Sequence, residues 1–470
     1  MKLDAEHFRQ HYRTLSDGEL TALDPADLTD VARGCYNKEL ERRGLSGVTA
    51  RLAALETPEA GDGEPEEPVE QADWDEPVSL GHVSRNTPMR AILRVAGIPS
   101  YLEDEYTPAF AGGARGCRLM VPAARFEEAR AVLDEISQTE PLPTEPWDGK
   151  IHHRFIETNG IRMHYAEAGS GRLVLLCHGF PESWRAWRHQ LGALAEAGYR
   201  AVAPDLRGYG QSDRPEALEA YDIFQLTGDI VGLANAISLG PSVIVGHDWG
   251  AWLASHAALL RPDLFCGVAL LSVPFVPRRL VNQTEWERQT YPGKTFYQAA
   301  LRSPDAEQYF TADIRSRLLT AFWTLSGEAT DEIRWQPTRD AGAPPRQPEI
   351  PSALPPWLRN QDLDFLVSEY QRTGFTGGLN YYRNMDRNWA LTSFLDGARL
   401  LHRTLFLTGE KDPVLDIHGE EFEDLETNVP NLWRKQLIRG AGHWIQQERP
   451  EEVNRILLAF LRDIEAGERA

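Results

Sequence analysis

Four continuous apolar runs punctuate the middle of the chain: LVLLCHGF at 173–180, YRAVAPDLRG at 199–208, SVIVGHD at 242–248 and CGVALLSV at 266–273. Unbroken runs of this kind suit strands covered on both faces, as in a parallel sheet. Helical patterns such as AWLASHAALL lie between them, so strand and helix alternate and the predicted class is α/β. Two later strand-like segments, RTLFLTGEKD at 403–412 and KQLIRG at 435–440, precede a terminal helix, PEEVNRILLAFLRDI.

The N-terminal third has a different texture. Residues 1–55 read as a short helical segment, with Ser16 and Asp24 or Asp27 as N-caps and Gly44 as a stop. Residues 56–77 are rich in Glu, Asp, Pro and Gly, and neither Lys nor Arg occurs between Arg51 and Arg85, which predicts a solvated acidic linker. Residues 78–138 alternate short strands and helices and form a small α+β module. A Pro-rich linker at 139–150 leads into a large domain over 151–470.

Several function classes are set aside by composition. A chain of 470 residues is longer than one core usually supports, and 42% hydrophobic with 25% charged residues is ordinary for a globular protein. The net charge of -21 opposes binding to nucleic acid or to an anionic membrane. Cys35, Cys117, Cys177 and Cys266 are scattered, without a CxxC pair or a Cys/His cluster, so no zinc site or disulfide framework is expected. No signal peptide or membrane span is evident, and a cytoplasmic location is expected.

The chemistry collects where parallel strands end, since sites in such sheets lie beyond the carboxyl ends. Gly246-His247-Asp248-Trp249-Gly250 fits the G-x-S-x-G elbow with aspartate in place of serine. A carboxylate is a poor nucleophile toward amides but displaces a leaving group from saturated carbon, giving an ester that water then hydrolyses. The plainer alternative is an Asp that merely caps the following helix.

Two further loops argue for catalysis. In HGFPESW at 178–184, after an apolar strand, the N–H of Phe180 joins that of Trp249 as an oxyanion donor, while His178 reads as a supporting hydrogen-bonding residue. In GAGHW at 440–444, His443 is placed as general base for water. Asp412, at the end of RTLFLTGEKD, orients that histidine in preference to Glu410 or Asp416.

Together HGFPESW, DLRGYGQSD at 205–213, VGHDWGA at 245–251, GEKD and GAGHW resemble the epoxide hydrolase branch of the α/β-hydrolases over roughly residues 151–466. The resemblance implies an α/β-hydrolase core with a mostly parallel sheet and a helical cap at about 275–397. It implies two cap tyrosines that protonate the epoxide oxygen. FTGGLNYYRN at 375–384 places one on Tyr382, with Tyr381 as packing or pocket wall. TFYQAALRSP at 295–304 places the other on Tyr297, with Tyr291 and Tyr309 open as alternatives. The Pro-rich stretch at 338–357 departs from the family and reads as a loop over the site, and Trp323 and Trp357 are either pocket wall or cap core. The N-terminal AILRVAGIPSYLED and GCRLMVPAARFEEARAVLDE resemble a small prokaryotic signal-transducing domain of unknown function, which implies a protein or small-ligand partner.

The expected reaction is therefore hydrolysis of a small-molecule epoxide by water, with no cofactor and no metal. The alternatives are a haloalkane or haloacid dehalogenase with the same nucleophile, or a ligand-binding sensor with an idle hydrolase fold. A halide leaves as an anion, whereas an epoxide oxygen needs a proton, so the tyrosine pair discriminates.

Overall fold

The computed structural model describes residues 77–83, 96–105, 116–138, 149–238 and 240–468, with the single positions Lys38 and Leu93. The helical segment at 1–55, apart from Lys38, and the acidic stretch 56–76 lie outside the described residues, as does most of the linker at 139–150.

In the small module, β1 (Pro77–Val83), β2 (Tyr101–Glu105) and β3 (Gly116–Pro122) form an antiparallel sheet in the order β1-β3-β2, followed by α1 (Phe126–Gln138). The apolar segment GCRLMVP takes the centre, and Leu119 and Val121, two residues apart, share a core with Leu93, Ile98 and Ala129. The sequence reading omits β2 because YLEDE carries three acidic residues; an edge strand tolerates them.

The large sheet has eight strands in the order β13-β12-β9-β8-β6-β7-β5-β4. β4 (His152–Thr158) and β5 (Ile161–Ala168) are an antiparallel hairpin that pairs onto β7. Its turn is Asn159-Gly160, with φ of 47° and 75°, the two-residue turn whose twist matches the strands. β6 (Leu173–Cys177), β7 (Arg200–Pro204), β8 (Ser242–His247), β9 (Phe265–Leu271), β12 (Arg403–Gly409) and β13 (Leu432–Ile438) run parallel.

The unbroken apolar runs have a direct structural cause. Ile244 and Phe406 enter the core beneath α3 (Ile223–Ile237) and α4 (Trp249–Leu260), with Leu233 and Ala254. Their neighbours Val243, Val245, Leu405 and Leu407 point to the other core, with Leu191 of α2 (Arg188–Glu196) and Phe460 of the terminal helix Pro450–Glu468. Alternate side chains are thus buried on opposite faces, each worth roughly 1.5–3 kcal/mol.

Between β9 and β12 the chain leaves the sheet. It forms α5 (Gln283–Thr290), α6 (Tyr297–Arg302), α7 (Ala306–Thr311), α8 (Ile314–Thr324), α9 (Asn360–Thr373), α10 (Thr376–Arg383) and α11 (Met385–Leu391). A small ladder joins β10 (Lys294–Phe296) to β11 (Thr338–Asp340), so the start of the Pro-rich stretch is strand rather than loop. Trp323 and Trp357 are cap core: Trp323 Nε1 donates to the Ala353 carbonyl, Trp357 Nε1 donates to Ser326 Oγ, and neither lines the cavities described below.

Candidate active site

Asp248 sits where β8 passes into α4, in a left-handed conformation with φ 53° and ψ -118°. For a residue with a Cβ this costs about 1–3 kcal/mol. The flanking glycines make the turn possible, since a Cβ on Gly246 would overlap the Gly250 carbonyl and one on Gly250 would overlap that of Cys177. Asp248 occupies the N-cap position, yet its side chain makes no capping bond; instead Oδ1 accepts from Phe180 N–H at 2.8 Å. The simple helix cap is therefore excluded.

Phe180 is held by the loop after β6. His178 Nδ1 donates to the Gly179 carbonyl at 2.9 Å, and its Nε2 accepts from Leu206 N–H at 3.1 Å. That is the supporting role expected of it. Trp249 is the first residue of α4, and its ring lies 5.0 Å from that of Tyr382.

His443, beyond β13, is brought to the same place. Its Nδ1 lies 3.1 Å from Asp412 Oδ2 and its Nε2 3.7 Å from Asp248 Oδ2. Asp412 is itself oriented, accepting from Val414 N–H and Thr408 Oγ1. The competing carboxylates are elsewhere: Glu410 accepts from Gly440 N–H and Asp416 pairs with Arg334. Burial works to raise the Asp248 carboxyl, but His443, His247 and the Phe180 N–H outweigh it and hold it below the usual carboxylate value. Burial alone would lower His443; Asp412 and Asp248 instead carry it up to about 10.

Tyr382 on α10 and Tyr297 at the start of α6 face one another with ring centres 6.5 Å apart. Burial first, then the Asp248 charge, pushes both phenols well above their ordinary value, so both keep their protons. Gln298 Nε2 donates to Tyr297 Oη at 3.0 Å, leaving the phenol proton free to be given elsewhere. Tyr381 donates to the Arg207 carbonyl and is packing. Tyr291 stacks on Phe296 and lines neither cavity described below, whereas Tyr309 lines the larger one.

Comparison with known proteins bears on the fold and the family. A family model for the alpha/beta hydrolase fold matches residues 172–450. The chain is 44% identical over 322 residues to epoxide hydrolase A of Mycobacterium tuberculosis, covering 67% of this chain and 99% of that one. It is 37% identical over 318 residues to an epoxide hydrolase of Caballeronia sordidicola, covering 68% and 96%. The crystal structure of epoxide hydrolase A from Mycobacterium thermoresistibile superposes with a TM-score of 0.62 at 44% identity, covering 67% and 98%. This chain belongs to the epoxide hydrolase family. A second model, described as "Putative prokaryotic signal transducing protein", matches residues 87–137, in agreement with the resemblance of the small module.

Against that family background, two cavities meet at the site. One, of about 150 Å³, runs beside α4 past Trp252 and His256; the other, of about 820 Å³, passes Phe180, Tyr309 and His443. Asp248, Tyr297, Tyr382 and Val414 line both, so they stand at the junction. Pro345, Arg346 and Pro348 line the larger cavity, which puts the Pro-rich stretch against the site as expected. Among the described residues no His/Cys/Asp/Glu group could hold a metal, and no helix is long and apolar enough to cross a membrane.

Three buried residues with positioning contacts escape the sequence reading. Glu448 accepts from the N–H groups of Gly327, Gly442 and Trp444, and so fixes the loop that carries His443. Glu182 and His247 join the Phe180 loop to the His443 loop. The last two lie inside quoted motifs, HGFPESW and VGHDWGA, and that placement was the available signal.

Proposed function

We propose that this protein hydrolyses an epoxide to a vicinal diol through an ester on Asp248. The observation that carries the reading is the junction of the two cavities, where two protonated phenols, Tyr297 and Tyr382, share one space with the carboxylate. A carboxylate supplies the nucleophile, and phenols supply what an epoxide needs and a halide does not: a proton for the departing oxygen.

In the first half-reaction Asp248 attacks an epoxide carbon and the carbon–oxygen bond breaks. Tyr297 and Tyr382 donate to the oxygen, and the proton that completes the alcohol is replaced from protonated His443. Esterification removes one of the two charges that hold the His443 proton. In the second half-reaction His443, now neutral and oriented by Asp412, takes a proton from water as hydroxide adds to the ester carbonyl. The N–H groups of Phe180 and Trp249 stabilise the resulting oxyanion. Collapse expels the diol oxygen, which takes the proton from His443, and the Asp248 carboxyl returns its own proton to the imidazole. No metal or cofactor enters these steps.

Two cavities of unequal size suit an epoxide with a small substituent on one carbon and a larger one on the other. The chain order read from the sequence completes the proposal: a helical segment (1–55), an acidic linker (56–77), a small module (78–138) that binds a protein or small-ligand partner, a second linker (139–150) and the hydrolase (151–470) with its cap at about 275–397, acting in the cytoplasm.

A single turnover in oxygen-18 water tests the mechanism. Solvent oxygen should enter the Asp248 carboxylate, and label in first-turnover diol would contradict the ester. On a panel of epoxides beside haloalkanes and fluoroacetate, diol formation lost in Asp248→Ala is expected. Halide release without diol would favour a dehalogenase, and no turnover on any of them would favour a sensor.

A further inference from the structure

The narrower cavity follows one face of α4. Asp248, Trp252, His256 and Leu259 line it, and their spacing is that of a single helical stripe. Most of the wall is apolar. His256 stands out on it as a titratable group that the chemistry above does not use.

His256 is 7% exposed, and its Nδ1 donates to the Trp252 carbonyl, one turn back in the same helix, at 2.9 Å. A carbonyl only accepts, so the ring proton sits on Nδ1. Burial pushes the imidazole down to about 4 against the pull of that hydrogen bond, so the ring is neutral. Nε2 therefore carries a lone pair, and it accepts from none of the described residues. It is the one polar atom of the ring left for the cavity.

Asn388 of α11 lines the same cavity with the opposite need. Its Oδ1 accepts from Ile223 N–H at 2.8 Å, which fixes the orientation of the amide, while its buried Nδ2 has no hydrogen-bond partner among the described residues. The guanidinium groups on this wall are committed, Arg278 to the Trp389 carbonyl and Arg279 to Glu421 and Gln283. An unmet acceptor and an unmet donor in one apolar pocket specify the polar group of its occupant. A carbonyl or ether oxygen would satisfy Asn388 alone and an ammonium His256 alone, whereas a hydroxyl both donates and accepts.

We propose that the narrow cavity selects epoxides whose smaller substituent ends in a hydroxyl, with His256 Nε2 accepting from the O–H and Asn388 Nδ2 donating to the oxygen. The proposal deepens the epoxide reading and rests on it. His256 lies eight residues beyond Asp248, about 12 Å along the helix axis, and a helical side chain leans back toward the helix start. With bonds of about 1.5 Å, an arm of about six atoms reaches from the reacting carbon to Nε2. The volume agrees: about 150 Å³ is available, and an apolar cavity of about that size holds a benzene ring.

Two trans-epoxides test the selection. They share one long, branched arm that fits the larger cavity alone, and their short arms end in a hydroxyl in one compound and an isosteric methyl in the other. The hydroxyl compound is expected to have a kcat/KM about tenfold to hundredfold higher, because an apolar end leaves the buried polar groups unmet. That ratio should fall to near unity in His256→Phe, which fills the space without a lone pair. Equal values in the unmodified enzyme, or a preference that persists in His256→Phe, would overturn the proposal. A binding arm is independent of turnover. In full-length protein carrying nitrogen-15 histidine, the His256 signals are those lost in His256→Phe. Phenol should shift the Nε2 resonance, and toluene, of the same size, should not; no shift with phenol, or the same shift with both, would overturn the subsite. If His256→Phe does not fold, the substrate ratio of the unmodified enzyme decides. Absence of diol from both epoxides, with the phenol shift present, would count against the reaction and leave the subsite standing.

Discussion

Nε2 of His443 stands 3.7 Å from Oδ2 of Asp248, too far for a strong hydrogen bond and close enough for a buried ion pair. Nδ1 on the other side of the ring is 3.1 Å from Asp412. One imidazole is thus held between two carboxylates, of which the proposed reaction esterifies one and leaves the other.

Replacing the imidazole should separate the two half-reactions. His443→Gln retains the nucleophile and both phenols, so Asp248 should still be alkylated while steady-state turnover falls by about 10²–10⁴-fold. Intact-protein mass spectrometry should show one substrate equivalent bound, and peptide mapping should place it on Asp248. Unmodified protein after incubation with a turned-over epoxide would contradict the division of labour.

The free enzyme should also report the His443 proton in its stability. The imidazole is raised from its ordinary value of 6.5 to about 10, so the folded state binds the proton more tightly than the unfolded state. The resulting stabilisation is full below about pH 6.5 and is lost as pH rises through about 10. Thermal denaturation of the unmodified enzyme and of His443→Gln should show a Tm difference that shrinks steadily from about pH 7 to about pH 10. A constant difference would mean that His443 is neutral at rest.

Each phenol should act on ring opening alone. Tyr382→Phe and Tyr297→Phe should each slow ester formation by about 10²–10³-fold, as removal of a transition-state donor does elsewhere, and leave ester hydrolysis within a few-fold. Rapid-quench single turnovers separate the rates. If Tyr309→Phe is the more damaging change, the second donor is Tyr309, which lines only the larger cavity, and not Tyr297.

Glu448 should be a stability residue first. Its carboxylate accepts three backbone N–H bonds, and burial pushes its pKa up despite them. Glu448→Ala would leave those N–H groups unsatisfied at about 1–3 kcal/mol each, so a loss of about 3 kcal/mol or more is expected in urea denaturation. A change below about 1 kcal/mol would mean that water replaces the carboxylate freely.

Much of this was legible along the chain. Asp248, His443 and Asp412 each follow a strand of the parallel sheet, which delivers such positions to one edge wherever they fall in sequence. The hairpin around Asn159-Gly160 went unassigned because His152–Thr158 lies largely exposed and lacks an apolar run. Tyr381 and Tyr382 show the limit of local pattern. They are adjacent on one helix, and only packing against the Arg207 carbonyl on one side and the cavity on the other separates their roles.

The sequence by itself determined the class, and it pointed to the strand ends and to Asp248, His443 and Asp412 as candidates, because backbone periodicity and turn chemistry are local. It could not show that Glu182 and His247, distant in the chain, satisfy one another, nor that two cavities meet at Asp248. Those facts depend on which buried donors and acceptors find partners, and only the folded chain brings them within hydrogen-bonding distance. The carboxylate at the elbow was written in the sequence; the two carboxylates that flank His443 were brought together by tertiary contact.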